Sequence, residues 1–134
     1  MNTGYFVKCE CGYEKMIFSG MGDLVDVVYS KLMKRIDAGK EPNFTKIKDF
    51  ISKGAKIYNL KYKMCFCSEC NNFQSVIDYI VSDGNKIIES ENHCDFCESS
   101  KLIYIDDYNL ENLRCPLCNK TLSKDNFQKM YHWS

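Results

Sequence analysis

The sequence lacks the composition of a disordered chain. Only two of its 134 residues are proline, no tract is of low complexity, and apolar residues make up 45% of the chain. A chain this apolar can bury enough side chains to form a core. Because chains of this length usually form one domain, we expect a single compact domain over residues 1–134.

Signals for a membrane or for secretion are also missing. No apolar run is long enough to span a bilayer, and no basic patch is followed by a long apolar run. We therefore expect a cytoplasmic protein without a membrane partner. Thiols stay reduced in the cytoplasm, so closely spaced cysteines there favour metal binding over disulfide bonds. The odd number of cysteines, nine, also argues against a disulfide framework.

Recognisable catalytic motifs are missing as well. The chain has no Gly-rich phosphate loop, no His-Glu-x2-His and no Gly-x-Ser-x-Gly. It has only two histidines, and its one notable acidic pair, Asp106 and Asp107, is typical of a turn. The sequence therefore predicts that the protein is not an enzyme.

What the chain does have is cysteine, and eight of the nine cysteines fall into four close pairs. A tight turn that holds two thiolates, called a knuckle below, can point both at one tetrahedral metal ion. Four knuckles supply two complete four-cysteine sites, so we predict two zinc ions per chain. The knuckles are formed by Cys9 and Cys11, Cys67 and Cys70, Cys94 and Cys97, and Cys115 and Cys118.

Spacing predicts which knuckles share an ion. The third and fourth form Cys-x2-Cys-x17-Cys-x2-Cys, which is usual for a zinc site closed by an intervening strand pair. The first and second then form the other site by elimination. An interleaved arrangement, first with third and second with fourth, is also compatible with the spacing. The predicted sites are Cys94, Cys97, Cys115 and Cys118, and Cys9, Cys11, Cys67 and Cys70.

Four sulfurs per ion leave no coordination position for water, so both predicted sites are structural. Cys65 is left over. It is either a plain buried cysteine, the interpretation we favour, or a replacement for Cys67 as a ligand. His93 adjoins Cys94 and could substitute as a ligand or donate to a thiolate, but eight cysteines already complete two sites. We assign no chemistry to His132.

Hydrophobic periodicity predicts a helical insertion over 21–54, between an N-terminal knuckle region (1–20) and a central strand and C-terminal region (55–134). One helix is predicted over 23–38 and a shorter one from Asn43 or Phe44 to Lys53. The apolar positions on their buried faces are Val25, Val28, Tyr29, Leu32 and Ile36, and Phe44, Ile47, Phe50 and Ile51.

Short apolar or alternating segments predict antiparallel strands on both sides of this insertion. Asp83 and Gly84 suit the tight turn of a hairpin. After Cys118 only a weak helix or turn start at Ser123 is predicted, with Tyr131 and Trp133 covering apolar surface at the tail. The predicted strands are 5–7, 16–18, 58–66, 73–81, 86–89 and 101–105.

Several motifs together resemble a family of small bacterial zinc-ribbon proteins of unassigned function. They are Lys-Cys-Glu-Cys-Gly-Tyr-Glu-Lys (8–15), Phe-Ser-Gly-Met-Gly (18–22), the Cys-x2-Cys pairs and the late Cys-Pro-Leu-Cys (115–118). The resemblance covers most of the chain and implies zinc and a ribbon fold, but no activity. This chain departs from the family with Cys-x-Cys in its first knuckle and with Asn119, where glycine commonly follows the last.

We therefore expect an α+β fold of zinc-ribbon-type antiparallel hairpins, with a two-helix insertion after the first knuckle. The formal charge is zero, but residues 31–63 hold ten Lys or Arg against three Asp or Glu. The favoured function is a non-enzymatic zinc-ribbon module that binds a protein. The alternatives are nucleic-acid binding through the basic segment 31–63 and, less favoured, a rubredoxin-like electron carrier.

Overall fold

The computed structural model of the protein describes residues 3–20, 25–106 and 108–131. Two helices and a set of antiparallel strands form within these residues, which confirms the predicted α+β class. None of the described helices is both long and apolar enough to cross a bilayer.

In chain order the elements are β1 (Thr3–Lys8), β2 (Glu14–Ser19), α1 (Val25–Asp37), α2 (Phe44–Ser52), β3 (Lys56–Cys67), β4 (Phe73–Ser82), β5 (Ile87–Glu89), β6 (Leu102–Tyr104), β7 (Leu113–Arg114), β8 (Thr121–Leu122), a 3₁₀ turn (Lys124–Asn126) and β9 (Phe127–Tyr131).

Antiparallel pairing arranges these strands in three sheets. The first has the order β2-β1-β9, so strands from the two ends of the chain are direct neighbours. The second has the order β5-β4-β3-β6, and the third is the small pair β7-β8. An isolated β-bridge between Gly20 and Tyr62 connects the first two sheets just after β2.

The helices cover one face of the second sheet, as their periodicity predicts. Val28, Leu32 and Ile36 of α1 are fully buried and join a core that includes Tyr62 and Tyr79 of the sheet. The predicted start of α1 at residue 23 lies outside the described residues. Residues spaced four apart on a helix lie on one face, which explains why this row is buried together.

Two positions predicted for the buried helical faces are exposed instead. Tyr29 of α1 is 46% exposed and Phe44 of α2 is 37% exposed. Tyr29 flanks the buried row of α1 rather than lying within it, and Phe44 is the first residue of α2. The predicted face of α2 is otherwise confirmed, because Ile47 is buried and Phe50 and Ile51 are half-buried against the core.

A second core lies among the knuckles. It joins side chains from the first sheet, from β3 and β4, and from the third sheet, and two cysteines, Cys9 and Cys115, belong to it. Phe73 is central, because its ring lies 5.0 Å from that of Phe66 and 5.7 Å from that of Phe127. Apolar packing therefore places the first and fourth knuckles against the same core.

All six predicted strands are confirmed, and three short strands were missed. The hairpin around Asp83 is present, with the Asp83 carboxylate accepting from the backbone N–H groups of Asn85 and Lys86. The turn predicted at Ser123 is the 3₁₀ turn, which Ser123 caps. We did not predict β7, β8 or β9. Trp133 and the side chain of Tyr131 lie outside the described residues.

Candidate metal centres

The four knuckles share one backbone design. In each Cys-x2-Cys knuckle, the residue after the second cysteine donates its N–H to the carbonyl of the first. These hydrogen bonds run from Asn71 to Cys67 (2.8 Å), from Glu98 to Cys94 (2.9 Å) and from Asn119 to Cys115 (2.9 Å). In the shorter first knuckle, Gly12 donates to Cys9 over 3.0 Å. The Cys-x-Cys pair therefore closes as a tighter version of the same turn.

The residue that closes each knuckle has a left-handed backbone. The φ angles are 101° at Gly12, 64° at Asn71, 63° at Glu98 and 63° at Asn119. Glycine adopts this conformation freely and asparagine tolerates it, whereas glutamate does not favour it. Asn119 thus takes the conformation for which glycine is suited, so asparagine in place of glycine leaves the fourth knuckle intact.

The knuckles combine differently from our prediction. The first lies against the fourth and the second against the third, and within each group the four sulfurs lie within 4.8 Å of one another. The predicted pairing of third with fourth was wrong, and so was the interleaved alternative. We call the observed groups cluster A, which is Cys9, Cys11, Cys115 and Cys118, and cluster B, which is Cys67, Cys70, Cys94 and Cys97.

Strand pairing explains this arrangement. β1 leads into the first knuckle and pairs with β9, which follows the fourth knuckle. Asn126, just before β9, also donates its side-chain amide to the carbonyl of Lys8 over 2.9 Å. Cys67 at the end of β3 pairs with Leu102 of β6, which follows the third knuckle. Spacing along the chain carries no information about these long-range contacts.

The sulfur positions fit a tetrahedral metal ion. In cluster A the Sγ atoms of Cys9 and Cys118 are 3.6 Å apart, and those of Cys11 and Cys115 are 3.5 Å apart. In cluster B the Sγ distances from Cys67 to Cys97 and from Cys70 to Cys94 are both 3.5 Å. Zn–S bonds of about 2.3 Å in a tetrahedron place neighbouring sulfurs about 3.8 Å apart. A disulfide requires an S–S distance of about 2.05 Å. All nine cysteines are free thiols, so each cluster could hold a metal ion.

Nitrogen donors surround the sulfurs and favour the thiolate form. The backbone N–H groups of Phe96 and Leu117 each donate to the first cysteine of their knuckle over 3.4 Å. Gln74, buried on β4, donates its amide to Cys94 Sγ over 3.2 Å and accepts from the N–H of Asp95 over 2.9 Å. We did not predict this role for Gln74, for which a buried amide in an apolar strand was the only signal.

The pKa values of the thiols split within each cluster. Burial opposes ionisation of Cys94, but hydrogen bonds from Gln74 and from backbone N–H groups prevail and lower its pKa to about 6. The pKa of Cys115 is lowered to about 7, because backbone and thiol hydrogen bonds outweigh burial in the same way.

Cys11 and Cys97 behave in the opposite sense. A backbone hydrogen bond, from Tyr13 or Ser99 respectively, favours each thiolate. Burial and hydrogen bonds to the other three cysteines outweigh it and raise the pKa of each to about 12. Four sulfurs this close cannot all ionise without a cation. A divalent ion removes that repulsion, which is the chemistry the ligand set is suited to.

The remaining candidate ligands lie outside both clusters. Cys65 is fully buried on β3, and Cys67 supplies the ligand of cluster B, so the interpretation as a plain buried cysteine is confirmed. Burial raises the pKa of Cys65 to about 12. His93 is exposed and belongs to neither cluster. His132 lies outside the described residues.

The two clusters are in contact through their knuckles. Asn71 of the second knuckle donates its side-chain amide to the amide oxygen of Asn119 in the fourth knuckle over 3.3 Å. Burial raises the pKa of Tyr13, whereas a backbone hydrogen bond at Phe73 lowers it. The charges of Cys115 in cluster A and of Cys70 in cluster B raise this pKa further, because Tyr13 lies near both clusters. The second and fourth knuckles are therefore in direct contact.

Comparisons of this chain with protein-family models, with curated proteins and with solved structures gave no match.

Proposed function

We propose that clusters A and B each bind one zinc ion as closed structural sites. The observation that carries this proposal is the presence of four sulfurs within 4.8 Å of one another in each cluster. Four thiolates complete the tetrahedral shell of zinc and leave no position for a substrate or water. The ions would stabilise the fold, and the protein would not be an enzyme.

Metal analysis of the protein purified without chelators tests the proposal. We expect two zinc ions per chain, and X-ray absorption should give four sulfur neighbours at about 2.3 Å for each ion. A rubredoxin-like electron carrier would instead contain iron and be coloured, since four-cysteine sites also accept iron. Fewer than four sulfur neighbours per ion, or an oxygen neighbour, would contradict closed sites.

The wider classification is part of the same proposal. The four knuckles, closed by left-handed residues and flanked by antiparallel strands, support a zinc-ribbon protein of the bacterial family that the sequence resembles. Nine free cysteines suit a reducing compartment, which supports a cytoplasmic location.

Two knuckles carry exposed apolar side chains, which support a protein partner. Phe96 and Leu117 occupy the same position in the third and fourth knuckles, and they are 57% and 68% exposed. The backbone N–H of each is held by a cysteine sulfur, so a bound ion would fix the backbone that carries each side chain. Apolar side chains on a fixed backbone contribute to protein interfaces at a lower entropic cost than those on a mobile one.

Substitution of these two side chains tests the interaction. We expect Phe96→Ser/Leu117→Ser to keep two zinc ions and the native circular dichroism while losing partners that co-purify with the parent protein from its own cells. Ile87→Ser, at a 59% exposed position on β5 and outside the knuckles, is the control. Unchanged co-purification in the double variant would count against a knuckle-borne interface.

Nucleic-acid binding through residues 31–63 has less support. Four of the ten cations in that segment form ion pairs with carboxylates, and two of those carboxylates lie on the helices themselves. The pairs join Arg35 to Glu41, Lys48 to Asp37, Lys53 to Asp49 and Lys63 to Asp78. Retention on a nucleic-acid column that weakens steeply with salt would revive this alternative.

A further inference from the structure

A cleft of about 340 Å³ lies beside α1, and the described residues that line it include no cysteine. One wall is the C-terminal half of α1, and a second is β4 around Val76. The third is formed by Asn92 and His93, just before the third knuckle, and by Asp95 within it. This volume is at the small end of the range for ligand sites. The cleft is therefore large enough for a small molecule and is enclosed from three directions.

Two lysines of α1 line the cleft without an acidic partner. Lys31 and Lys34 are three residues apart, which places them on one side of the helix. Neither forms an ion pair with a carboxylate in the described part of the chain. The ammonium group of Lys31 lies 5.9 Å from the ring centroid of Tyr62, which also lines the cleft. Both charges are thus available to a ligand.

Arg35 supplies a third cation, and a buried carboxylate holds its guanidinium in place. Its Nε donates to Glu41 Oε1 over 2.9 Å, and Glu41 Oε2 accepts from the Tyr79 hydroxyl over 2.7 Å. Glu41 and Tyr79 are 4% and 2% exposed, so the anchor is buried. The terminal amino groups of the guanidinium have no partner among the described residues. A guanidinium fixed in this way loses little entropy when it binds an oxyanion.

The lining has more positive than negative charge available. Glu41 is matched by Arg35, and Asp95 is the other carboxylate that lines the cleft. Asn92 lines the cleft too, and its buried amide nitrogen has no hydrogen-bond partner among the described residues. An unpaired buried donor is costly, and an acceptor on a bound ligand would relieve that cost.

We propose that this cleft binds the phosphate group of a small phosphorylated molecule. Arg and Lys together are the side chains that bind phosphate most effectively, Arg through two parallel hydrogen bonds and Lys through its charge. Tyr62, Val76 and Ile77 offer apolar surface beside the cations for an uncharged part of the same molecule. A cleft enclosed on three sides suits a small molecule better than a continuous nucleic-acid strand.

Titration of the metal-loaded protein, freed of excess metal, with inorganic phosphate and with pyrophosphate tests this proposal. Amide chemical shifts at low salt should change saturably for residues 31–35 and 92–95. Lys31→Gln/Lys34→Gln should weaken pyrophosphate binding by about tenfold or more, as expected for two lost charge-assisted contacts. The control Lys56→Gln/Lys86→Gln removes the same charge from exposed positions outside the cleft and should leave affinity nearly unchanged.

Three results would overturn the proposal. One is the absence of saturable shifts with either anion. Another is equal weakening in the two double variants, which would mean that only overall charge attracts the anion. The third is steeply salt-dependent binding of a single-stranded oligonucleotide in the absence of pyrophosphate binding. The zinc content of each variant, measured in parallel, separates a failure here from a failure of the metal proposal.

Discussion

Gln74 ties β4 to the third knuckle through both ends of its side-chain amide. One end donates to Cys94 Sγ and the other accepts from the backbone of Asp95. The amide thus fixes a metal ligand in position and stabilises its negative charge at the same time. Groups that orient a ligand in this way commonly contribute strongly to metal affinity.

We expect Gln74→Leu to lower the zinc affinity of cluster B by about tenfold to a hundredfold. Both hydrogen bonds would be lost, and the backbone N–H of Asp95 would be left without its partner. Competition with a chromogenic chelator measures the affinity of each site. Gln128→Leu, at an exposed position on β9, is the matched control. Equal affinities for the two variants would mean that Gln74 does not support the ligand.

Glu98 is the unusual closing residue among the four knuckles. It has a φ of 63°, where an L-residue other than Gly or Asn is strained by roughly 1–2 kcal/mol. We expect Glu98→Gly to stabilise the zinc-loaded protein by about 1 kcal/mol, because part of that gain is offset by the greater freedom of glycine when unfolded.

The urea midpoint at a fixed zinc concentration measures this effect. Glu98→Ala is the informative control, since it removes the same charge but keeps the Cβ atom that causes the strain. It should show little of the gain. If alanine stabilised the protein as much as glycine does, charge and not backbone conformation would be the cause.

At the scale of elements, a buried clamp joins the end of α1 to the second sheet. Tyr79 of β4 donates to Glu41, which also accepts from Arg35 of α1. Glu41 is 4% exposed, and the two hydrogen bonds offset the free-energy cost of burying its carboxylate. The clamp therefore sets how α1 lies on the sheet, in addition to the apolar contacts of the helix.

We expect Tyr79→Phe to destabilise the protein by about 1–3 kcal/mol, since the buried carboxylate of Glu41 loses one of its donors. Urea denaturation of the zinc-loaded protein measures the change. Tyr58→Phe removes a hydroxyl from a side chain that is 50% exposed and should have almost no effect. A similar small effect in both variants would mean that water replaces the Tyr79 hydroxyl.

Local patterns predicted some elements well and others not at all. The buried row of α1 and the β4–β5 hairpin follow from helical spacing and turn chemistry, which depend on residues close together in the sequence. β9 has no regular alternation, with exposed residues at both Gln128 and Lys129. It is a strand because β1, over a hundred residues away in the chain, provides its hydrogen-bond partners. Such long-range pairing has no local signal.

The same distinction holds for the candidate site. The four knuckles were visible in the sequence because two cysteines within one turn are neighbours along the chain. Their combination into clusters A and B depends on β1 meeting β9 and on β3 meeting β6. The third and fourth knuckles are close together along the chain, and this favoured a site made of these two. However, β6 lies between them in the chain and pairs with β3 before the chain reaches the fourth knuckle.

At the scale of the whole molecule, bound metal ions and the apolar core would stabilise the same structure. Cys9 and Cys115 of cluster A belong to the core around Phe73, and Asn71 and Asn119 join the two clusters. Structural zinc contributes on the order of 10 kcal/mol to apparent folding, which is comparable to the whole net stability of a typical domain. The apo chain should therefore not keep this fold.

We expect excess chelator to abolish near-ultraviolet circular dichroism and to collapse amide chemical-shift dispersion. Both signals should return when zinc is added back under reducing conditions. The control is the same chelator saturated with zinc beforehand, which should change nothing. Retention of a dispersed spectrum without metal would show that the apolar cores fold the chain unaided.

Pairs of cysteine substitutions test how the knuckles combine. Cys11→Ser/Cys118→Ser removes two ligands from cluster A, whereas Cys11→Ser/Cys70→Ser removes one ligand from each cluster. At saturating zinc and after removal of loosely bound metal, the first variant should keep one zinc ion at cluster B. The second should keep none at native affinity, because both ions lose a ligand.

Pairing of the first knuckle with the second and of the third with the fourth predicts the reverse order of zinc content. Equal zinc content in both variants would contradict either arrangement.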